Sequence, residues 1–135
     1  MMKLIWPASP RALLYFDGFG AILTASFVGI ILPRFFAGVG LAPETLTTMA
    51  WYGVGCGVWS FSMAIFAYKP QAWMFGVIMA ANSLYALLAL RLLQLHRDMT
   101  LWGQLYFAFE ILLLILIVLI EWNVFSQLRR SRRSP

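Results

Sequence analysis

Few residues in this sequence could do chemistry, and one of them, Glu110, stands inside "YFAFEILLLILIVLIEW" (106–122). Ten consecutive Leu, Ile and Val residues, Ile111 to Ile120, follow it and end at a second carboxylate, Glu121. A carboxyl inside an apolar helix either serves a proton or substrate site or pairs helices through hydrogen bonds. Both readings of Glu110 stay open. Asp17, in "YFDGFGA", is a second candidate. It lies near the start of another apolar run, close in depth to Ser62, and is expected either inside or reaching to the membrane boundary near Arg11. Glu121 falls at the boundary and is expected to be solvated.

The remaining reactive types are sparse. The chain has one His and one Cys. His96 has no second ligand at metal-binding spacing, and Cys56, in "GVGCGVW", reads as a small core residue. There is no nucleophile–base arrangement, phosphate-cradling glycine loop or dinucleotide fingerprint. Neither enzyme activity nor a cofactor is expected. The basic run "RRSRR" (Arg129, Arg130, Arg132, Arg133) has no interleaved aromatics, so nucleic acid is not expected; it reads most simply as a topology signal, with attraction to anionic lipid beside it. Such attraction amounts to about 1 kcal/mol per basic residue near the surface.

The elements that must position these residues follow from composition. Of 135 residues, 62% are hydrophobic and 11% charged. A bilayer core of about 30 Å takes about 20 residues of helix, and four apolar runs reach that length. The reading is a single all-α transmembrane domain over 1–135, an antiparallel four-helix bundle. Its helices are expected at about 12–32, 45–68, 72–95 and 101–122. Pro33 ends the first helix. Pro43 and Glu44 suit the first turn of the second, and Asp98 or Thr100 caps the fourth. The tail 126–135 is expected to be basic and cytoplasmic, and disordered beyond its first residues. The start has a basic flank before an apolar run, as a signal peptide does, but Asp17 interrupts the run and a retained helix is expected.

Orientation follows the Lys/Arg asymmetry. Four spans place both termini on one side with Lys3, Arg11, Lys69, Arg129, Arg130, Arg132 and Arg133, against Arg34, Arg91 and Arg97 on the other. That puts both termini in the cytoplasm of a bacterial inner membrane. Tyr15, Tyr68, Trp73 and Trp122 then form the inner aromatic belt, and Trp51, Tyr52, Trp102 and Tyr106 the outer one. Phe35 and Phe36, in the loop "RFFAGVGLAP" (34–43), are expected either in the outer headgroup region or as a lid.

Helices in lipid associate through close packing of small residues. Gly53, Gly57, Ser60, Ala64 and Ala67 recur every three or four positions, forming one packing face of the second helix. The third helix offers Gly76, Ala80 and Ser83. The first offers Gly20, Ala21, Thr24 and Ala25. The ten Leu, Ile and Val residues contribute roughly −3 to −6 kcal/mol to insertion, outweighing an acidic residue at about +2.5 to +3.5. Insertion is therefore no obstacle for Glu110, but an unpartnered polar group in the folded state is. The 97–98 turn makes helix-three and helix-four positions summing to about 195 level at equal rise. Glu110 is thereby placed near Tyr85, with Asn82 and Arg91 as further candidates.

The stretches "LLYFDGFGAILTASFVG" (13–29) and "GLAPETL" (40–46) resemble small uncharacterised bacterial integral membrane proteins with four predicted helices. The resemblance implies a fold and no activity. Small multidrug resistance transporters carry their essential Glu in the first helix. Here that helix has Asp17, and the deep Glu is in the fourth. The DoxX-like pattern is not matched. The leading expectation is an accessory or structural membrane protein that packs against itself or a larger complex. The alternative is a transporter of protons or small hydrophobic compounds using Glu110.

Overall fold

The computed structural model describes residues 9–35 and 39–132, except for the side chain of Phe35. Lys3, Phe36 and Arg133 lie outside the described residues. Among those described there are helices and no strands. Helix α1 (Pro10–Ser26) continues through a π-helical turn (Phe27–Ile31) into α2 (Leu32–Phe35). Helices α3 (Pro43–Phe66), α4 (Ala72–Leu95) and α5 (Leu101–Ser131) follow. The stretch Pro10–Arg34 counts as one helix, so four helices are long and apolar enough to cross a membrane.

Local chemistry accounts for the helix starts. Ser9 accepts a hydrogen bond from Ala12 N at 3.2 Å, and Pro10 occupies the first turn. This Ser-Pro start precedes the expected one at residue 12. Pro43 and Glu44 open α3 as expected. Thr100, rather than Asp98, caps α5 by accepting from Gly103 N at 3.3 Å.

Two expected helix ends are corrected. Pro33 does not stop the first helix, which continues to Phe35. Proline cannot donate to the carbonyl four residues back, and its ring crowds that carbonyl. The preceding turn widens instead, with Leu32 N bonded to Phe27 O, and the chain stays helical. At the other end, α5 runs to Ser131 rather than 122. Gln127 donates to Asn123 Oδ1 at 3.0 Å, Ser131 Oγ to Gln127 O at 3.1 Å, and Arg132 to Gln71 Oε1 at 2.7 Å. Leu128 packs on buried core residues, and Arg129 and Arg130 favour the negative end of the helix dipole.

Helix α1 packs most extensively on α3, and α4 on α5. The expected small-residue face of α3 makes the first contact: Gly53, Gly57, Ser60 and Ala64 are buried. A methyl group at Gly53 would lie 3.1 Å from both Ala21 O and Ala25 Cβ, and one at Gly57 3.2 Å from Gly18 O. Ala67 is half-buried, and its carbonyl accepts from Arg11 at 2.6 Å. Arg11 also donates to Tyr68 O at 3.0 Å, so it caps the end of α3 instead of meeting Asp17. On α4 the small residues do not define the packing face. Ala80 is exposed, and the buried face is Ala72, Phe75, Ile78, Asn82, Tyr85 and Ala89.

Two apolar cores join the helix pairs. Near the ends carrying Pro10 and Ser131, Leu13 and Leu14 meet Ala64, Phe75, Ile78 and Val124. At the opposite end, Val28 and Leu32 meet Leu46, Met49, Ala89, Met99 and Phe107. Val39 joins this second core, and its carbonyl accepts from Thr100 N at 3.1 Å. Gly40 turns the chain there with φ +82°, and a Cβ on it would lie 2.6 Å from Met99 Cα. The described part of the 34–43 loop therefore docks on the turn before α5.

A buried carboxyl cluster and the clefts around it

Between the two cores, each long helix contributes one buried polar side chain to a single cluster. These are Asp17 of α1, Ser60 of α3, Asn82 of α4 and Glu121 of α5. Ser60 Oγ donates to Asp17 Oδ2 at 2.5 Å, and Asn82 Nδ2 donates to Asp17 Oδ1 at 2.9 Å. The same amide nitrogen donates to Glu121 Oε1 at 3.1 Å and lies 3.4 Å from Oε2. Glu121, expected at a solvated boundary, is fully buried. Asn82, expected beside Glu110, serves Asp17 and Glu121 instead. Helical side chains lean toward the N-terminus of their own helix. Asn82 thus leans toward the Pro10 end while Glu121 leans away from it, and the two converge.

Glu110 occupies a separate position nearer the second core, 5% exposed. Tyr85 OH donates to its Oε1 at 3.4 Å, and Tyr106 OH at 3.3 Å. Tyr85 was an expected partner. Tyr106, assigned by sequence to the outer belt, turns inward because it sits one helical turn before Glu110 on the same helix. Tyr52, another belt residue, donates from its hydroxyl to Ala81 O at 2.9 Å. Arg91 is exposed, and Glu110 receives its bonds from the two phenols. Glu110 Oε2 is buried and has no hydrogen-bond partner. Thr24 shares the wall of one cleft with Glu110 but completes no bond to that oxygen.

Two clefts reach the polar region where the helix pairs meet. One, of about 340 Å³, lies between α3 and α4 and is lined by Trp51, Trp59, Val77 and Ile78. The other, of about 420 Å³, lies between α1 and α5 and includes Thr24, Tyr85 and Glu110 in its wall. Asp17, Tyr52, Cys56 and Asn82 line both. Among the described residues, no group of His, Cys, Asp and Glu could hold a metal ion. Arg129, Arg130 and Arg132 lie exposed at the end of α5, outside this site.

Ser60 and Glu121 were not read as site residues, although a signal for Glu121 existed. Glu110 and Glu121 differ by 11 positions, close to three turns at 3.6 residues per turn, so both lie on the inward face of α5. Ser60 reads by sequence only as a small packing residue. No family model matches this chain, and neither a curated protein nor a solved structure does.

Proposed function

We propose that this chain is a multi-pass protein of a bacterial cytoplasmic membrane, an antiparallel four-helix bundle with both termini inside. It acts without enzymatic chemistry, passing protons or small hydrophobic compounds by means of intramembrane carboxylates. The observation that carries this reading is Asp17, a buried carboxyl in the walls of two separate clefts. Among the described residues, Lys, Arg and His form no bond to Asp17, Glu110 or Glu121. Charge in an apolar interior must be balanced, so protons or a bound cation take that part. Ionisable residues within spanning helices commonly mark such pathways.

The test is proton flux in proteoliposomes carrying the purified chain and an internal pH dye. An imposed potential is expected to drive acidification with the wild type and not with Asp17→Asn. Equal flux from both, or none above empty liposomes, would reject the reading. A second reading, an accessory subunit associating with itself or a larger complex, is favoured by α5. Little of its apolar length is buried, and Leu112, Ile115, Leu116, Leu119 and Trp122 are exposed. Native mass spectrometry of gently solubilised, endogenously expressed protein tests it. Recovery only as a lone chain would count against it.

A further inference from the structure

The polar groups around the α1/α5 cleft have a one-sided inventory. Tyr85 and Tyr106 both direct their hydroxyl protons to Glu110 Oε1. The Tyr52 hydroxyl donates to Ala81 O, and the Asn82 amide is taken up by Asp17 and Glu121. Apart from the Thr24 hydroxyl and the weakly donating Cys56 thiol, the donors are committed. What remains without a partner is an acceptor, Glu110 Oε2, on a side chain that is 5% exposed. Buried polar atoms are nearly always hydrogen-bonded, so an orphan beside a cleft calls for an explanation.

The cleft suits an apolar body. Its volume, about 420 Å³, falls within the roughly 300–1,000 Å³ of small-molecule sites. Phe16, Phe19 and Leu23 of α1 and Leu113 and Leu116 of α5 line it and are also exposed on the exterior. A ligand therefore reaches it from the apolar surroundings. Glu110 and Asp17 together disfavour an anion.

We propose that the α1/α5 cleft binds a lipophilic amine with at least one N–H, the enclosed Glu110 carboxyl turning to present Oε2 to its nitrogen while its apolar chain lies along the aliphatic walls. An amine completes the site in either proton state. As an ammonium it donates to the carboxylate, and as a free base it accepts the proton of the acid. A quaternary ammonium lacks the N–H, a fatty acid places a second carboxyl against the first, and an alkanol forms only a neutral hydrogen bond. The inference rests on the membrane reading above, since the ligand enters from lipid, but it does not require transport.

The test is the thermal unfolding midpoint of the full chain in detergent, titrated with octylamine, octanol, octanoate and octyltrimethylammonium. Octylamine is expected to raise the midpoint at about tenfold lower concentration than octanol, because charge-assisted hydrogen bonds are about twice as strong as neutral ones. Octanoate and the quaternary amine are expected to give no such stabilisation. Glu110→Gln keeps an acceptor for Tyr85 and Tyr106, so it should fold and lose the preference for octylamine. Gly20→Leu is expected to fill the cleft, since Gly20 lines it and a Cβ there meets nothing within 4 Å. That variant should lose stabilisation by both octylamine and octanol. Octanol matching octylamine, or Glu110→Gln retaining the preference, would overturn the proposal. Octylamine selectivity without proton flux would reject proton passage and leave this site standing. Flux without selectivity would do the reverse.

Discussion

Asp17 and Glu121, from the first and last long helices, accept hydrogen bonds from one side-chain nitrogen, Asn82 Nδ2, at 2.9 and 3.1 Å. Leaving a buried acceptor without its donor costs about 1–3 kcal/mol. Two acceptors depend on Asn82, so Asn82→Leu is expected to lower stability by about 2–6 kcal/mol. SDS titration in mixed micelles measures it. The control is Asn123→Leu, whose side chain accepts only an exposed bond from Gln127. Equal costs at the two positions would show that the amide is not holding the cluster.

The contact between α1 and α3 predicts opposite responses at two glycines of one helix. Gly53 faces Ala21 and Ala25, whereas a Cβ at Gly55 meets nothing within 4 Å. Gly53→Leu should cost at least about 1–3 kcal/mol through overpacking. Gly55→Leu should be neutral or mildly stabilising through the higher helix propensity of Leu. The same SDS titration reports both, and equal tolerance would mean that the stripe is not a packed face.

Gly40 holds a backbone conformation that side chains disfavour, and Met99 backbone occupies the space a Cβ would need. Gly40→Ala should therefore cost more than the roughly 1–2 kcal/mol of left-handed strain alone. Amide hydrogen exchange should rise around Val39 and Thr100, whose backbones are bonded at 3.1 Å. Unchanged protection there would argue that the loop is not docked on this turn.

Glu110 offers a contrast between two substitutions. Glu110→Gln retains an oxygen for the two phenols and should change stability by less than about 1 kcal/mol, within the range of a neutral hydrogen bond. Glu110→Leu strands both hydroxyl donors and should cost about 2 kcal/mol or more. Tyr85→Phe combined with Tyr106→Phe should recover part of that loss. Failure of the double change to rescue Glu110→Leu would separate the phenols from the carboxyl energetically.

The Lys/Arg asymmetry predicts that the C-terminus is cytoplasmic. A reporter active only in the periplasm, fused after Pro135, should be silent. Strong activity would invert the proposed topology.

The sequence by itself determined the helical class, because only helices satisfy the backbone throughout runs this apolar. It also determined the α4 bounds, the Pro43 start and the face of α3 that packs on a neighbour, and it narrowed the cap of α5 to Asp98 or Thr100, of which the structure takes Thr100. These depend on local periodicity, backbone donors and side-chain size, which are legible one segment at a time. It placed Glu110 beside Tyr85 because a short hairpin sets the register of adjacent helices. Tertiary structure decided the rest. Whether Pro33 stops or only widens a helix depends on what the following residues pack against. Whether Arg11 meets Asp17 or the end of α3 depends on where α3 ends in space. The cluster of Asp17, Ser60, Asn82 and Glu121 required all four helices at once. The sequence marks Asp17 and Asn82 as polar candidates and Ser60 and Glu121 only as a packing and a boundary residue, and their shared depth arises from helix rotation and side-chain lean that no single segment specifies.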